Sequence, residues 1–359
     1  MSKFTKSLCK IAIPVTLQSM LQASFSIIDQ VMIGQLGETN ISAVGLCGNF
    51  SLIFSVVIGA VGTVAGILIA QFIGADDTKE AWCSFDVSFI CGIIIATMFL
   101  LASGVLSSQI LSLYTKDTSI ISTGEVYFRI VAFSYIPMAI SNILSAWLRC
   151  NAYAAIPFAA SFVAVAVNTG LIFGKCGFAP MGIKGAAIAT LISQLFNLVC
   201  IGIGFMVCIQ KDEDKPVLAF HFEKISLGDY FIMIMPILVS EFLWSLGQNV
   251  ESAVYGHLGT LNLAAYTLTC PIQGLIVGAL SGLSAAAGVM VGKRLGRKEY
   301  DEAYTESKKI MYAGLIGAVA ISIVLIFLAG IYTRLYRVDY GVKELGKILL
   351  IIFALYAPI

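Results

Sequence analysis

Ten long apolar stretches dominate the sequence and limit the folds open to it. Each is a continuous apolar run rather than an alternation of apolar and polar residues, which favours helices over a membrane barrel. A helix needs about 20 residues to cross the hydrocarbon core of a bilayer. The sequence therefore predicts an all-α polytopic membrane protein. The predicted spans are 11–33, 47–73, 86–111, 127–148, 156–176, 185–209, 231–255, 268–292, 310–332 and a tenth, shorter one that starts near 345.

Composition and charge agree with a membrane location. The chain is 58% apolar and 12% charged, whereas about a quarter of the residues of a soluble domain are charged. The net charge of +1 gives no bulk attraction to nucleic acid. With the N-terminus inside, fourteen Lys and Arg residues lie on the inner side and seven on the outer side. This bias predicts a multi-pass protein of the cell inner (plasma) membrane with a cytoplasmic N-terminus.

Polar segments divide the chain. The longest, residues 210–230, separates six spans from four. We expect a six-helix N-terminal lobe over 1–209, a cytoplasmic linker over 210–230, and a C-terminal lobe over 231–359 that holds three helices and part of a fourth. A second polar segment, 292–309, predicts a short solvated helix.

An internal repeat relates the two predicted lobes. Residues 13–81 align with 235–303 without a gap, a shift of 222 residues with eleven identities that include Pro14/Pro236, Gly34/Gly256 and Asn40/Asn262. Because six spans separate the copies, the two lobes run in the same direction across the membrane. Two parallel lobes related by an axis along the membrane normal leave a cleft between them, an arrangement typical of alternating-access transporters.

Several stretches resemble the multidrug and toxic compound extrusion (MATE) transporters. IPVTLQSMLQASFSIIDQVMIGQLG resembles the family's first helix, and PILVSEFLWSLGQNVESAVYGHLGTLNLAAY resembles its seventh. WLRCNAYAAIPFAASFVAVAVNTGLIFG and GIKGAAIATLISQLFN are similar to the fourth-to-sixth helix region. The resemblance implies an inverted-V fold of two six-helix lobes, here with an incomplete second lobe, as in a C-terminally truncated member.

The same resemblance implies a function. A MATE protein is a secondary active antiporter, not an enzyme, and it exports amphipathic, often cationic, drugs or metabolites in exchange for Na⁺ or H⁺. The partners implied are small organic cations and the lipid bilayer, without nucleic acid, and the chain is expected to act as a monomer. No cofactor is expected beyond the coupling ion.

Acidic residues inside spans are the first candidates for ion coupling. A carboxylate in the hydrocarbon region costs a few kcal/mol, so it usually faces a cavity or binds a cation. Asp29 matches the family's first-helix Asp, which implies a proton or Na⁺ site, and no other metal is expected. Glu241 resembles the seventh-helix acid, although the better-known position in one branch is Trp244 here. Glu251 is the repeat mate of Asp29, and a solvated position at the helix end is its alternative.

Polar and aromatic residues extend the candidate site. In one MATE subgroup the first-helix Asp is networked with an Asn and an Asp on the fifth helix; Asn168 matches the Asn, but Ile172 replaces the Asp. A structural hydrogen bond between helices is the alternative for Asn168. Further candidates for substrate or ion binding, or for packing instead, are Gln22, Gln248, Asn249, Trp244 and Tyr135.

Two prolines could act as conformational hinges. Pro14 and Pro236 each lie near the start of the first helix of a lobe, where a proline can kink the helix. The alternative is an ordinary proline at the beginning of a helix.

Two other functions remain open. One is a flippase for lipid-linked oligosaccharides, a fold relative that would need a cationic cavity, whereas Arg129 is the only Arg well within a span. The other is a membrane enzyme or a non-transporting truncated relative. The sequence contains no Walker motif, no Ser-His-Asp set and no metal-ligand spacing among its nine cysteines and two histidines.

Overall fold

The chain is almost entirely helical, as predicted. The computed structural model describes residues 3–34, 38–112, 117–172, 182–211, 227–257, 260–334 and 340–357, and no strand occurs among them. The helices are α1 (Lys3–Gly34), α2 (Glu38–Gly74), α3 (Thr78–Val105), α4 (Ser107–Ser112), α5 (Thr118–Ala132), α6 (Tyr135–Cys150), α7 (Ala155–Ile172), α8 (Gly182–Lys211), α9 (Leu227–His257), α10 (Thr260–Gly296), α11 (Tyr300–Arg334) and α12 (Tyr340–Tyr356).

Every predicted span coincides with a helix or a helix pair. By length and composition, six described helices can cross a membrane, and a seventh crossing is possible if α5 and α6 count as one. This pair occupies the predicted span 127–148, but its two helices are bent by 41° at a break near Phe133 and Ser134. A hydropathy window cannot detect such a bend because both helices are apolar.

The predicted short helix over 292–309 is wrong. Residues 292–296 are the end of α10, a turn follows, and Tyr300 begins the 35-residue helix α11. The first turns of α11 are largely exposed, so the polar character of the segment reflects a solvated helix end rather than a separate helix.

The repeat in the sequence is also a repeat in the backbone. Adding 222 to the ends of α2 gives the ends of α10, and the starts of α3 and α11 correspond in the same way. Both connecting turns contain a non-glycine residue in the left-handed region, Asp76 (φ 55°) and Lys298 (φ 62°). The two turns also share their hydrogen bonds: the Asp77 amide donates to the Phe72 carbonyl, and the Glu299 amide donates to the Arg294 carbonyl, both at 3.0 Å.

The α2–α10 crossing lies on the pseudo-two-fold axis. The Cβ position of Gly292 is 3.1 Å from Cβ of its repeat mate Ala70. A methyl group on Gly74 would overlap the carbonyl oxygen of Lys293, and one on Gly296 would overlap that of Gln71, the mate of Lys293. Small residues therefore allow the two backbones to touch at this point.

The main core joins the lobes at the same end. It contains Leu68, Ile69 and Trp147 of the N-terminal lobe (α1–α8) together with Tyr230 and Val289 of the C-terminal lobe (α9–α12). We call this end, which carries the α2–α3 and α10–α11 turns, the closed end.

Candidate functional site

One face of α9 gathers four of the residues predicted from the sequence. Glu241, Trp244, Gln248 and Glu251 follow one another at helical spacing, and Tyr255 continues the series one turn later. At 100° per residue these five positions span an arc of about 80°. Both glutamates are exposed, and Trp244 is 51% exposed. We call these five residues the α9 stripe.

Helix α10 holds the far end of the α9 stripe in place. The ring of Tyr266 stacks on Tyr255, with centroids 4.7 Å apart and an interplanar angle of 16°. Its hydroxyl donates to Oε1 of Gln248 at 3.4 Å. The Tyr255–Tyr266 pair and the Gln248 amide are therefore held together between α9 and α10.

The repeat mates of the α9 stripe lie on α1, and that helix contacts the other lobe. Ser19, the mate of Glu241, is hydrogen-bonded to Ser281 of α10 at 2.7 Å. One turn earlier, the Thr16 hydroxyl donates to the carbonyl of Ala279 at 3.0 Å. This face of α1 thus contacts α10 of the other lobe. The pseudo-two-fold axis exchanges α1 with α9 and α10 with α2, but on α9 the mates of Ser19 and Gln22, which are Glu241 and Trp244, are exposed.

Helices α1 and α9 differ in how much of their surface is buried by neighbouring helices. Near the closed end, α9 packs on the N-terminal lobe: Ile234 is buried, and the buried hydroxyl of Tyr230 donates to Ser88 of α3 at 2.9 Å. From Val239 to Trp244 every residue is exposed, which covers all sides of the helix. The matching part of α1 lies against α10 and α7. The α9 stripe therefore begins where α9 leaves the N-terminal lobe.

The charges around the α9 stripe have one sign. Helices α2 and α9 contain no Lys or Arg, and those of α10 are Lys293 and Arg294 in its last turn at the closed end. Apart from His257 at the end of α9, these three helices contain no basic side chain near Glu241 or Glu251. A cleft lined by one sign of charge raises the local concentration of the opposite ion.

The predicted N-terminal coupling site is only partly described. The side chains of Asp29, Asn168 and Asn249 lie outside the described residues, although Asp29 belongs to α1 and Asn168 to α7. These two helices are neighbours, since Gln18 of α1 donates to Ser161 of α7 at 3.0 Å. Gln22 is exposed on α1. The pairing of first and fifth spans that an Asp29–Asn168 network needs is therefore present.

Tyr135 has a different place from the one expected. It is 1% exposed, its ring lies 4.5 Å from that of Phe54, and its hydroxyl is 2.8 Å from that of Ser51. This burial corrects the expectation that the ring lines a substrate cleft, because neighbouring helices cover both of its faces. Tyr135 packs the core of the N-terminal lobe.

The prolines and Arg129 also bear on the alternatives. Pro14 and Pro236 both lie well inside their helices, so the interpretation as ordinary helix-start prolines is wrong.

Arg129 is exposed and forms an ion pair with Glu125. Its charge is therefore already partnered on the surface, which disfavours the cationic cavity that a flippase would need.

Sequence reasoning missed Tyr266 and Tyr255. Neither is acidic or amide-bearing, and the contact between them depends on how α10 folds back on α9. The repeat alignment could have pointed to them, because both aromatic rings occur only in the second copy. The corresponding residues of the first copy are Ile33 and Val44.

Two helical lobes with a parallel repeat and long apolar spans are typical of a polytopic membrane transporter. The MatE family model matches residues 14–173 and 236–359, one match for each lobe. The two matches begin at Pro14 and Pro236, which is the same shift of 222 residues. The chain therefore belongs to the MATE family of multidrug efflux transporters.

Relatives and solved structures agree with this assignment. The chain is 24% identical to a probable multidrug resistance protein NorM of Thermotoga maritima, over 98% of this chain and 76% of the relative. It is also 24% identical to the transporter YisQ of Bacillus subtilis, over 92% and 74%. Its fold matches a crystal structure of the Vibrio cholerae MATE transporter VcmN in the bent form, with TM-score 0.85, 20% identity, and coverage of 99% and 81%.

Proposed function

We propose that the chain is a secondary active antiporter that exports amphipathic, often cationic, compounds in exchange for Na⁺ or H⁺. The observation that carries the proposal is the contrast along the lobe interface. At the closed end α2 and α10 are in backbone contact, whereas farther along α9 presents an exposed acidic stripe. A cleft that is sealed at one end and attracts cations at the other is what one state of an alternating-access exporter requires.

Asp29 is assigned to the coupling ion. It occupies the α1 position that corresponds to Glu251 in α9, and α1 lies against α7, which carries Asn168. A carboxylate there can bind H⁺, or Na⁺ with neighbouring oxygen atoms. Ion entry at Asp29 would favour one packing of α1 against its neighbours, and ion release would favour another. Pro14 and Pro236, inside the first helix of each lobe, are the proposed bending points.

The α2–α10 crossing is assigned to the inner barrier. The basic residues near the turns favour the cytoplasmic side for the closed end. Substrate would then enter when the crossing separates and leave when it re-forms. We propose that this cycle runs in a monomer in the inner membrane, without a cofactor.

Dye efflux tests the proposal. Proteoliposomes that contain the full chain would be loaded with ethidium, and Na⁺ and pH gradients would be imposed separately. The chain should export the dye with one of the two gradients, and Asp29→Asn should reduce the rate at least tenfold. Glu344→Gln, which removes an exposed carboxylate of α12, is the matched control and should export normally. Equal rates for Asp29→Asn and the parent would exclude Asp29 as the coupling site, and no export under either gradient would refute the antiporter.

A further inference from the structure

A buried hydrogen bond joins the two lobes inside the closed end. The hydroxyl of Tyr230, at the start of α9, donates to the hydroxyl of Ser88 on α3 at 2.9 Å. Both residues are 0% exposed, and Tyr230 belongs to the main core that joins the lobes. A buried hydrogen bond is harder to break than an exposed one, because water does not reach the separating groups. The bond therefore favours the sealed arrangement of this end.

Helix α3 holds the acceptor of this bond in place. The Ser88 hydroxyl donates its only proton to the Ser84 carbonyl at 2.6 Å, so toward Tyr230 it can only accept. Ser84 in turn donates to the carbonyl of Glu80 at 2.9 Å. The Tyr230–Ser88 bond consequently has one direction and one geometry, and a small sliding movement of α9 along α3 weakens it.

The equivalent position of the repeat is apolar. The shift of 222 residues pairs Tyr230 with Leu8 of α1 and Ser88 with Ile310 of α11. Both mates are buried in the main core, at 7% and 5% exposure. Apolar side chains thus suffice to fill this position, and the hydrogen bond is an addition in the α9–α3 copy. Apolar burial is non-directional, whereas a hydrogen bond weakens steeply as its angle changes, so the addition makes the α9–α3 contact depend on exact placement.

Tyr230 lies on the part of α9 that stays with the N-terminal lobe. Ile234, one turn farther on, is also buried, and Pro236 follows inside the helix. Every residue from Val239 to Trp244 is exposed. A proline removes a backbone hydrogen bond and allows a helix to bend. The part of α9 before Pro236 can therefore leave α3 without a rigid movement of the whole helix.

We propose that the Tyr230–Ser88 hydrogen bond is an inner latch, which holds α9 on α3 while the closed end is sealed and breaks whenever that end opens. The inference deepens the proposed function, because it names a contact whose loss admits substrate from the side that the closed end seals. Tyr230 is thus a positioning residue that sets the population of the open state. One net hydrogen bond changes such an equilibrium about fivefold.

Thiol labelling of the purified full chain in detergent tests the latch without any transport assay. Val289→Cys places a thiol at a position of α10 that is 5% exposed in the main core, so a water-soluble maleimide reaches it only when the closed end opens. Peptide mass spectrometry separates this site from the native cysteines. Adding Tyr230→Phe, which removes one hydroxyl and keeps the ring, should raise the labelling rate about fivefold, and adding Ser88→Ala should do the same. The two together should raise it no further, because they remove the same bond.

A second buried tyrosine–serine pair provides the matched control. The hydroxyl of Tyr135 is 2.8 Å from that of Ser51, and Tyr135 is 1% exposed, but both residues belong to the N-terminal lobe. Tyr135→Phe should therefore leave the labelling rate unchanged, although it removes an equivalent hydroxyl. Equal acceleration by Tyr135→Phe and Tyr230→Phe would indicate general loosening and would overturn the latch. Labelling of the Tyr230→Phe variant at the rate of its Val289→Cys parent would also overturn it.

Labelling and export together separate the latch from the antiporter. Far-ultraviolet circular dichroism checks that each variant is folded, and Ser88→Ala carries the test if Tyr230→Phe is not. Dye export by the parent, with no acceleration of labelling in either latch variant, would refute the latch but not the antiporter. Faster labelling in both latch variants, without dye export by the parent under either gradient, would refute the antiporter but not the latch.

Discussion

The first turns of α3 and α11 are repeat mates with the same backbone and opposite surroundings. In α3, residues 80–85 are buried on every side of the helix, and Trp82 stacks on Trp147 at 4.0 Å. In α11, the corresponding residues 302–307 are mostly exposed, and Tyr304, the mate of Trp82, is 64% exposed. The shared turn geometry thus comes from local hydrogen bonds, whereas the surroundings depend on which helices pack beside the turn. A duplicated segment can therefore keep its backbone while its side chains take up different tasks.

The strongest test of this comparison locks the lobes together on their shared axis. In the double variant Ala70→Cys with Gly292→Cys, the Cβ atoms would be about 3.1 Å apart, close to the separation that a disulfide needs. If the crossing must open in each cycle, oxidation should abolish dye efflux and a reductant should restore it.

The two single variants control for disulfides with native cysteines such as Cys150, and they should remain active after oxidation. Undiminished efflux by the oxidised double variant, with the disulfide confirmed by mass spectrometry, would show that the crossing is a fixed pivot rather than a barrier.

Replacement of the two corresponding aromatic residues, Trp82 and Tyr304, by alanine should lower the free energy of unfolding by very different amounts. Trp82→Ala removes a buried ring from the Trp82–Trp147 stack and should lower the free energy of unfolding by about 3–5 kcal/mol. Tyr304→Ala removes an exposed ring and should change it by about 0.5 kcal/mol or less. Thermal unfolding in detergent measures both. Similar losses for the two variants would mean that Tyr304 is covered in the folded protein.

Glycines of α2 provide the next contrast. Gly74→Ala would place a methyl group against the backbone carbonyl of Lys293, and since backbone cannot rotate away, we expect a loss of about 1–3 kcal/mol. Gly66→Ala lies two turns away on the same helix with open space at its Cβ position, and it should be neutral or slightly stabilising. If both substitutions were equally tolerated in thermal unfolding, the α2–α10 contact would have to be looser than the structure shows.

Much of the fold could be predicted from the sequence, and particular residues show where prediction stopped. The apolar runs located the spans, and the 222-residue frame predicted the repeat, whereas the matching turns at Asp76 and Lys298 emerged only in the structure. The frame could not anticipate that Trp82 is buried while Tyr304 is exposed, because burial depends on helices distant in sequence. For the same reason Tyr135 was expected in a cleft but lies in a core.

The candidate site was predictable where spacing alone decides the geometry. Glu241, Trp244, Gln248 and Glu251 fall on one face of any straight helix, so the α9 stripe follows from their numbers. The stacked Tyr266 depends on the α9–α10 packing and did not emerge from the sequence.

The smallest effect concerns the charges that distinguish the two turns. Arg294 of α10 contacts Glu299 at 2.5 Å, Glu302 at 2.6 Å and Glu306 at 3.1 Å, whereas its mate in the N-terminal lobe is Phe72, which packs against the main core. Because Arg294 and two of these glutamates are partly exposed, Arg294→Met should cost only about 1 kcal/mol at low ionic strength. Most of that cost should disappear in 1 M salt, where the screening length falls to about 3 Å. Phe72→Met should lower the unfolding temperature by an amount that does not depend on salt, because that position loses packing rather than charge. A salt-independent loss at Arg294 would mean that its aliphatic stem, and not its ion pairs, holds the α10–α11 turn together.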